Sequence, residues 1–203
     1  IQSPYVGSVS ALWLHRLTAH QSDTQLCIRC AAWREIITAI ENREDCMALI
    51  DGDIRTKNSE YFNIGNVEMV FVVPETNPYF ATDIKEIMWE DVPADTLIFS
   101  DISPGALERT YDNLRSAQSA AGSFTEVSCT TILKNVCKEA GVPAIVPKSL
   151  IDIFDDEVRF CCRPFAYSKL FIPLGLSISH GNHMRGKIIG RNVENVFDNR
   201  FYV

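Results

Sequence analysis

The sequence predicts an α/β protein made of two similar halves joined by two long extended crossings. Three observations predict it. Short apolar runs alternate with helix-patterned stretches along the chain, the pattern of strands with helices between them and so of a largely parallel sheet. The two most apolar runs, 67-VEMVFVVP-74 and 170-LFIPLGLSI-178, are short and interrupted by Glu68 or Pro173, so they read as buried strands rather than membrane spans. Finally, the extended stretches near residues 62–73 and 165–177 each lead from one αβ half into the other.

The elements follow in order. Gly7-Ser8 opens a helix from Ser8 to Thr18, with Val9, Leu12, Trp13 and Leu17 at helical spacing. A strand, 25-QLCIRC-30, precedes a helix over 32–42 carrying Trp33, Ile36, Ile37 and Ile40. The strand 46-CMALID-51 stops at Gly52, which suits a turn. The stretch 61–74 is extended, and a loop with Pro78 leads to a short helix near 83–90. In the second half, strand 96-TLIFS-100 runs through 101-DISPG-105 into a helix over 106–118. Strand 124-FTEVS-128 then precedes a helix over 129–140, with Gly141 as its C-terminal cap. Strand 142-VPAIVP-147 ends at a turn begun by Lys148-Ser149. The chain continues through 158-VRFCC-162 and 169–178 into a helix over 184–197.

Composition excludes several classes of function. With 19 basic against 26 acidic residues the formal charge is -7, the wrong balance for a surface that grips phosphates. Seven cysteines leave at least one thiol without an intramolecular partner, and their density is far below that of a disulfide scaffold. That usage points to a reducing cytoplasm. The opening Ile1-Gln2-Ser3-Pro4 has none of the features of a signal peptide, and the missing initiator Met suggests a fragment or a processed product. No nucleophile turn, dinucleotide fingerprint or phosphate loop occurs, so the chain is expected not to be an enzyme. The expected site lies beyond the carboxyl ends of strands, where helix N-termini suit carboxylates and other anions.

Three segments in the same order and spacing resemble the effector-binding domain of LysR-type transcriptional regulators. These are 33-WREIITAIENREDCMALIDGD-53, then 68-EMVFVVPETNPYF-80 with Asn77-Pro78 filling a turn, then 126-EVSCTTILKNVCKEAGVPAIVPKSL-150. The resemblance covers nearly the whole chain. It implies two Rossmann-like sub-domains similar to type 2 periplasmic binding proteins, with lobe I over 1–67 and 168–203 and lobe II over 68–167. It also implies a small-molecule effector in the inter-lobe cleft, a side-by-side homodimer, and a tetramer in the full-length protein. DNA is then touched only through an N-terminal winged helix-turn-helix that is not in this chain, which agrees with the acidic balance.

Carried over by position, four loops frame the effector. They are Tyr5, Gly7 and Ser8 before the first helix; Cys30 and Ala31 opening the second; Ser100 and Asp101 at a strand end; and Ser128, Cys129 and Thr130 at a helix N-terminus. Cys30 stands where many members have Thr or Ser, and a thiol is a poor donor. Arg55 and Lys57 follow the third strand and favour a small organic anion. No cofactor and no metal is expected. His15, His20, His180 and His183 share no ligand spacing with Cys or carboxylates, and Asp51 and Asp53 read as solvated turns. Cys27 and Cys30 form a C-x-x-C that reads first as structural or cleft-lining thiols, with a redox or metal pair as the alternative. Of Cys161 and Cys162 one is expected to face inward, and Cys129 gains reactivity from its helix N-terminus. The peroxide-sensing branch of the family carries its reactive Cys in the loop after the strand at 96–100; 101-DISPGAL-107 has none. The alternatives are a solute-binding protein of a transport system and a thiol-based redox-sensing regulator.

Overall fold

A computed structural model of the chain describes residues 1–2, 4–5, 27–42, 44, 46–52, 54, 56–81, 83–117, 124–154 and 159–179. The helices expected over 8–18 and 184–197 lie outside them, as do Gly7, Ser8, Asp53, Arg55 and all four histidines. The chain divides into two compact units, Ile1–Asn66 with Pro173–Val203, and Val67–Ile172.

In the first unit α1 (Trp33–Glu41) is amphipathic and turns Ile36 and Ile40 inward. They pack with Ala48 and Ile50 of β1 (Met47–Asp51) and with Ile54. Glu35 accepts a bond from the Ala32 N–H at 2.9 Å, so the helix start carries its own carboxylate, which favours the N-terminal end of the dipole. Antiparallel to β1 runs β7 (Phe171–Ser179), from Met47 opposite Ile178 to Asp51 opposite Leu174. Gly175 is obligatory there, because a Cβ would overlap the Tyr61 ring. Of the strand expected over 25–30, residues 25–26 lie outside the described residues, and the rest is not a strand. Residues 27–30 are irregular and exposed, and the segment joins the sheet through a single parallel bridge, Gln2 to Ala31.

The second unit is built on β2 (Ser59–Pro74), which enters it at Val67. Its sheet has the order β6–β2–β5–β3–β4, with β3 (Leu97–Phe99), β4 (Thr125–Val127), β5 (Ala144–Pro147) and β6 (Phe160–Pro164). Two helices connect the parallel strands: α2 (Pro104–Ala117) joins β3 to β4, and α3 (Thr130–Ala140) joins β4 to β5. The core holds Met69 to Val73, Phe99, Leu114, Leu133 and Ile145, all essentially inaccessible. β2 has ladder partners on both edges, β5 and β6, and from Met69 to Val73 its side chains are buried in the core of this unit.

Two expectations need correction. The sheet is mixed: only β4–β3–β5 is parallel, while β2 runs antiparallel to β5 and β6. A strand that passes from unit to unit arrives from the opposite end, so its direction is set by the crossing and not by a βαβ return. The short helix near 83–90 is replaced by an irregular stretch and a single 3₁₀ turn at Trp89–Asp91. The Ile87 N–H bonds Pro164 O at 3.0 Å, and the Trp89 ring stacks on Phe165 with centroids 3.7 Å apart. These tertiary bonds take the groups that a helix would have used.

Candidate functional site

The second unit brings two of the expected loops together. β3 and β4 are parallel neighbours with Phe99 opposite Val127, and the Ser100 N–H bonds Val127 O at 3.0 Å. Ser100 and Ser128 therefore leave the sheet side by side at its carboxyl edge, the place where open α/β sheets bind ligands. Ser100 is half-buried and Asp101 is buried, while Ser128 and Cys129 are exposed and Thr130 is half-buried.

Cys129 is the N-cap of α3 in an extended conformation, and its side chain makes no capping bond. No acidic residue occupies the first turn of α3. In contrast to α1, whose first turn holds Glu35, the start of α3 keeps its partial positive charge for something else. Hydroxyls at Ser100, Ser128 and Thr130 can both donate and accept, so the cluster suits a small ligand with an anionic or carbonyl oxygen.

In the first unit Cys30 is exposed and Ala31 half-buried, directly ahead of α1. Tyr5, expected to line the cleft mouth, is wholly buried, and its hydroxyl donates to Asp51 Oδ2 at 2.7 Å. Asp51, expected to be a solvated turn, is equally buried. As the last residue of β1 it is still inside the ladder, opposite Leu174, so its carboxylate has no route to solvent. The Gln2 side chain accepts from the Asp51 N–H at 2.9 Å, and the Trp33 indole N–H donates to Asp51 O at 3.2 Å. These contacts hold the start of the chain, α1 and β1 together. They are architecture.

All seven cysteines are free thiols. Cys161 and Cys162 are both half-buried, and of the two it is Cys162 that packs against the core, in line with the alternation of the strand. Burial pushes the Cys162 thiol up to about 11 and that of Cys137 up to about 12. Among the described residues no group of three or more His, Cys, Asp or Glu could hold a metal ion, and no helix is long and apolar enough to cross a membrane.

Sequence reasoning missed Ser149, the second residue after β5. Its hydroxyl is shielded from solvent and has no hydrogen-bond partner among the described residues. An unpaired buried hydroxyl is costly, which marks the position. The signal was available, since Ser149 comes shortly after a strand as Ser100 does, but only the strand order shows that the two strands are neighbours.

No family model and no curated protein matches the chain. Solved structures do. It is similar to the reduced form of the OxyR regulatory domain from Pseudomonas aeruginosa, with a TM-score of 0.64 at 14% identity over 89% of this chain and 87% of that one. It is also similar to the C-terminal domain of a probable LysR family transcriptional regulator from Rhodococcus sp. RHA1, with a TM-score of 0.70 at 13% identity over 89% of each chain. The chain has the fold of a LysR-type regulatory domain. Full-length CbnR in complex with its target DNA matches with a TM-score of 0.63 at 13% identity, and there the likeness covers 90% of this chain but 61% of that one. The LysR-type fold is thus a periplasmic-binding-protein-like α/β architecture, and this chain spans about three fifths of a full-length regulator that carries it.

Proposed function

We propose that the chain is the effector-binding domain of a LysR-type transcriptional regulator. It takes a small-molecule inducer at the helix-opening loops of its two units and works in the cytoplasm as part of a homo-oligomer. The inducer changes the oligomer geometry, and so the spacing of DNA-binding heads that belong to another part of the protein. The reading makes it a binding protein and not an enzyme. The observation that carries it is the pairing of Ser100 with the end of β4, which sets two hydroxyl-bearing loops at one sheet edge beside an uncapped helix start. The fold shared with regulator domains supports it, and seven free thiols agree with a reducing compartment.

A thermal-shift screen of small acids, amines and aromatics on the purified chain tests the reading. A ligand present at 100 times its Kd adds about 2.7 kcal/mol, which raises the midpoint by roughly 5–10 °C for a protein of this size. The shift is expected to shrink in Ser128→Ala and Thr130→Ala. Hits that are indifferent to both substitutions, or no hits at all, count against it.

A further inference from the structure

The segment ahead of α1 holds a pair of thiols that neither the fold nor the proposed function uses. In a regular strand over 25–30, Cys27 and Cys30 would stand about 10 Å apart and point to opposite faces. The structure instead leaves Cys27, Ile28, Arg29 and Cys30 irregular, and all four are exposed. Free cysteine is among the most buried of residue types, so two of them in solvent three places apart do not serve packing. Neither belongs to a disulfide.

The backbone of this segment is fixed at its far end. Ile1 N donates to Arg29 O at 2.8 Å, and the Ala31 N–H donates to Ile1 O at 3.1 Å. Among the described residues no backbone hydrogen bond holds Cys27 or Ile28. Cys27 can therefore swing toward Cys30 without breaking a ladder, as in a four-residue turn whose ends come within about 7 Å. Two cysteines in a turn at this spacing are a recurrent metal grip.

The number of ligands narrows the metal. Among the described residues no third His, Cys, Asp or Glu joins the pair. Two thiols do not fill the tetrahedral shell of zinc, which takes four ligands. They do satisfy a soft monovalent cation of the copper group, which favours thiolates and accepts two of them. Charge narrows it in the same direction. Both thiols lose their protons when a metal binds, so a monovalent ion leaves the complex with one net negative charge and a divalent ion leaves none. Arg29 lies between the two cysteines, and its guanidinium is close enough to the Cys27 sulfur to donate a hydrogen bond to it. A positive charge is thus in place for the extra negative one. The neighbouring pair Cys161 and Cys162 is a poorer candidate, because Cys162 packs against the core and burial pushes its thiol up to about 11.

We infer that Cys27 and Cys30 form a surface site for Cu(I), held between two thiolates with Arg29 as the counter-charge. The site belongs to the first unit, and it neither needs nor tests the effector-binding reading.

Anaerobic titration of the purified chain with Cu(I) under ascorbate, in competition with the chelator bicinchoninate, tests it. The chain should take one equivalent from the chelator, and two thiols should then stop reacting with an aromatic disulfide reagent. Cys27→Ser and Cys30→Ser should each abolish the uptake, while Cys129→Ser and Cys161→Ser leave it unchanged. Arg29→Met should weaken binding roughly tenfold, as the loss of an outer-shell partner does, and Arg29→Lys should retain most of it. Zn(II) in excess should not displace the copper. Circular dichroism checks that each variant is folded. No uptake by the wild type overturns the inference. So does uptake that survives in folded Cys27→Ser or Cys30→Ser, follows Cys161, or yields to Zn(II). Binding that is indifferent to Arg29→Met overturns the counter-charge.

Discussion

Individual side chains show how far environment departs from residue type. Tyr5 and Asp51 are polar residues near loops in the sequence, yet they form a buried pair in which one hydroxyl satisfies one carboxylate oxygen. The cysteines separate in the same way. Cys27, Cys30 and Cys129 are exposed, while desolvation raises the Cys137 thiol from 9.0 to about 12. A thiol whose folded value lies above its unfolded one favours the fold below pH 9, and that contribution is lost as pH rises from there toward 12. The loss is about 1.4 kcal/mol for each pH unit in that window. The urea midpoint should therefore fall between pH 9 and 11, and less steeply in Cys137→Ala. At pH 8 a maleimide should label the three exposed thiols first and Cys137 last; a flat midpoint together with early labelling of Cys137 contradicts this assignment.

Secondary-structure elements were legible where their pattern was periodic and their ends carried local signals. α1, α2, α3 and the strands β1 to β5 occur within a few residues of where the hydrophobic spacing puts them. The end of α3 was read from a single residue. Gly141 caps it in the left-handed region at φ 67°, with its N–H bonded to Cys137 O at 3.1 Å. A side chain at that φ costs about 1–2 kcal/mol, and an added Cβ would stand 3.1 Å from Thr76 Oγ1. Gly141→Ala should lower stability by about 2 kcal/mol in chemical denaturation, and an unchanged midpoint would refute the cap. The stretch at 83–90 went the other way. Its apolar spacing suits a helix, but Ile87 is drawn into a bridge with Phe165 and Trp89 into a stack on the same residue. That partner is far from it in sequence.

At the scale of the molecule, two units with separate cores share one chain that enters the second unit at Val67 and leaves it after Ile172. Among the described residues five large apolar side chains stand in solvent: Ile28 in the first unit, and Ile84, Ile132, Tyr167 and Phe171 in the second, with Ile132 in the first turn of α3. Under the proposed function a second copy is expected to cover part of this apolar surface, Ile132 included. The purified chain should sediment as a dimer, and Ile132→Glu should shift it toward a monomer that still melts cooperatively, with a midpoint lowered by the lost association. A wild type that is monomeric at high concentration removes the dimer from the reading. Hydrophobic periodicity and punctuation by Gly and Pro act over a few residues, and for that reason the sequence by itself determined the α/β class, the order of most elements and the loops that hold Ser100 and Ser128. The direction of the crossing strands, the burial of Asp51 and the meeting of Lys148 with Glu68 were decided only by the tertiary structure. These contacts join residues far apart in the chain: the local pattern sets which face a strand buries, but which strand it meets depends on the strand order of the whole sheet.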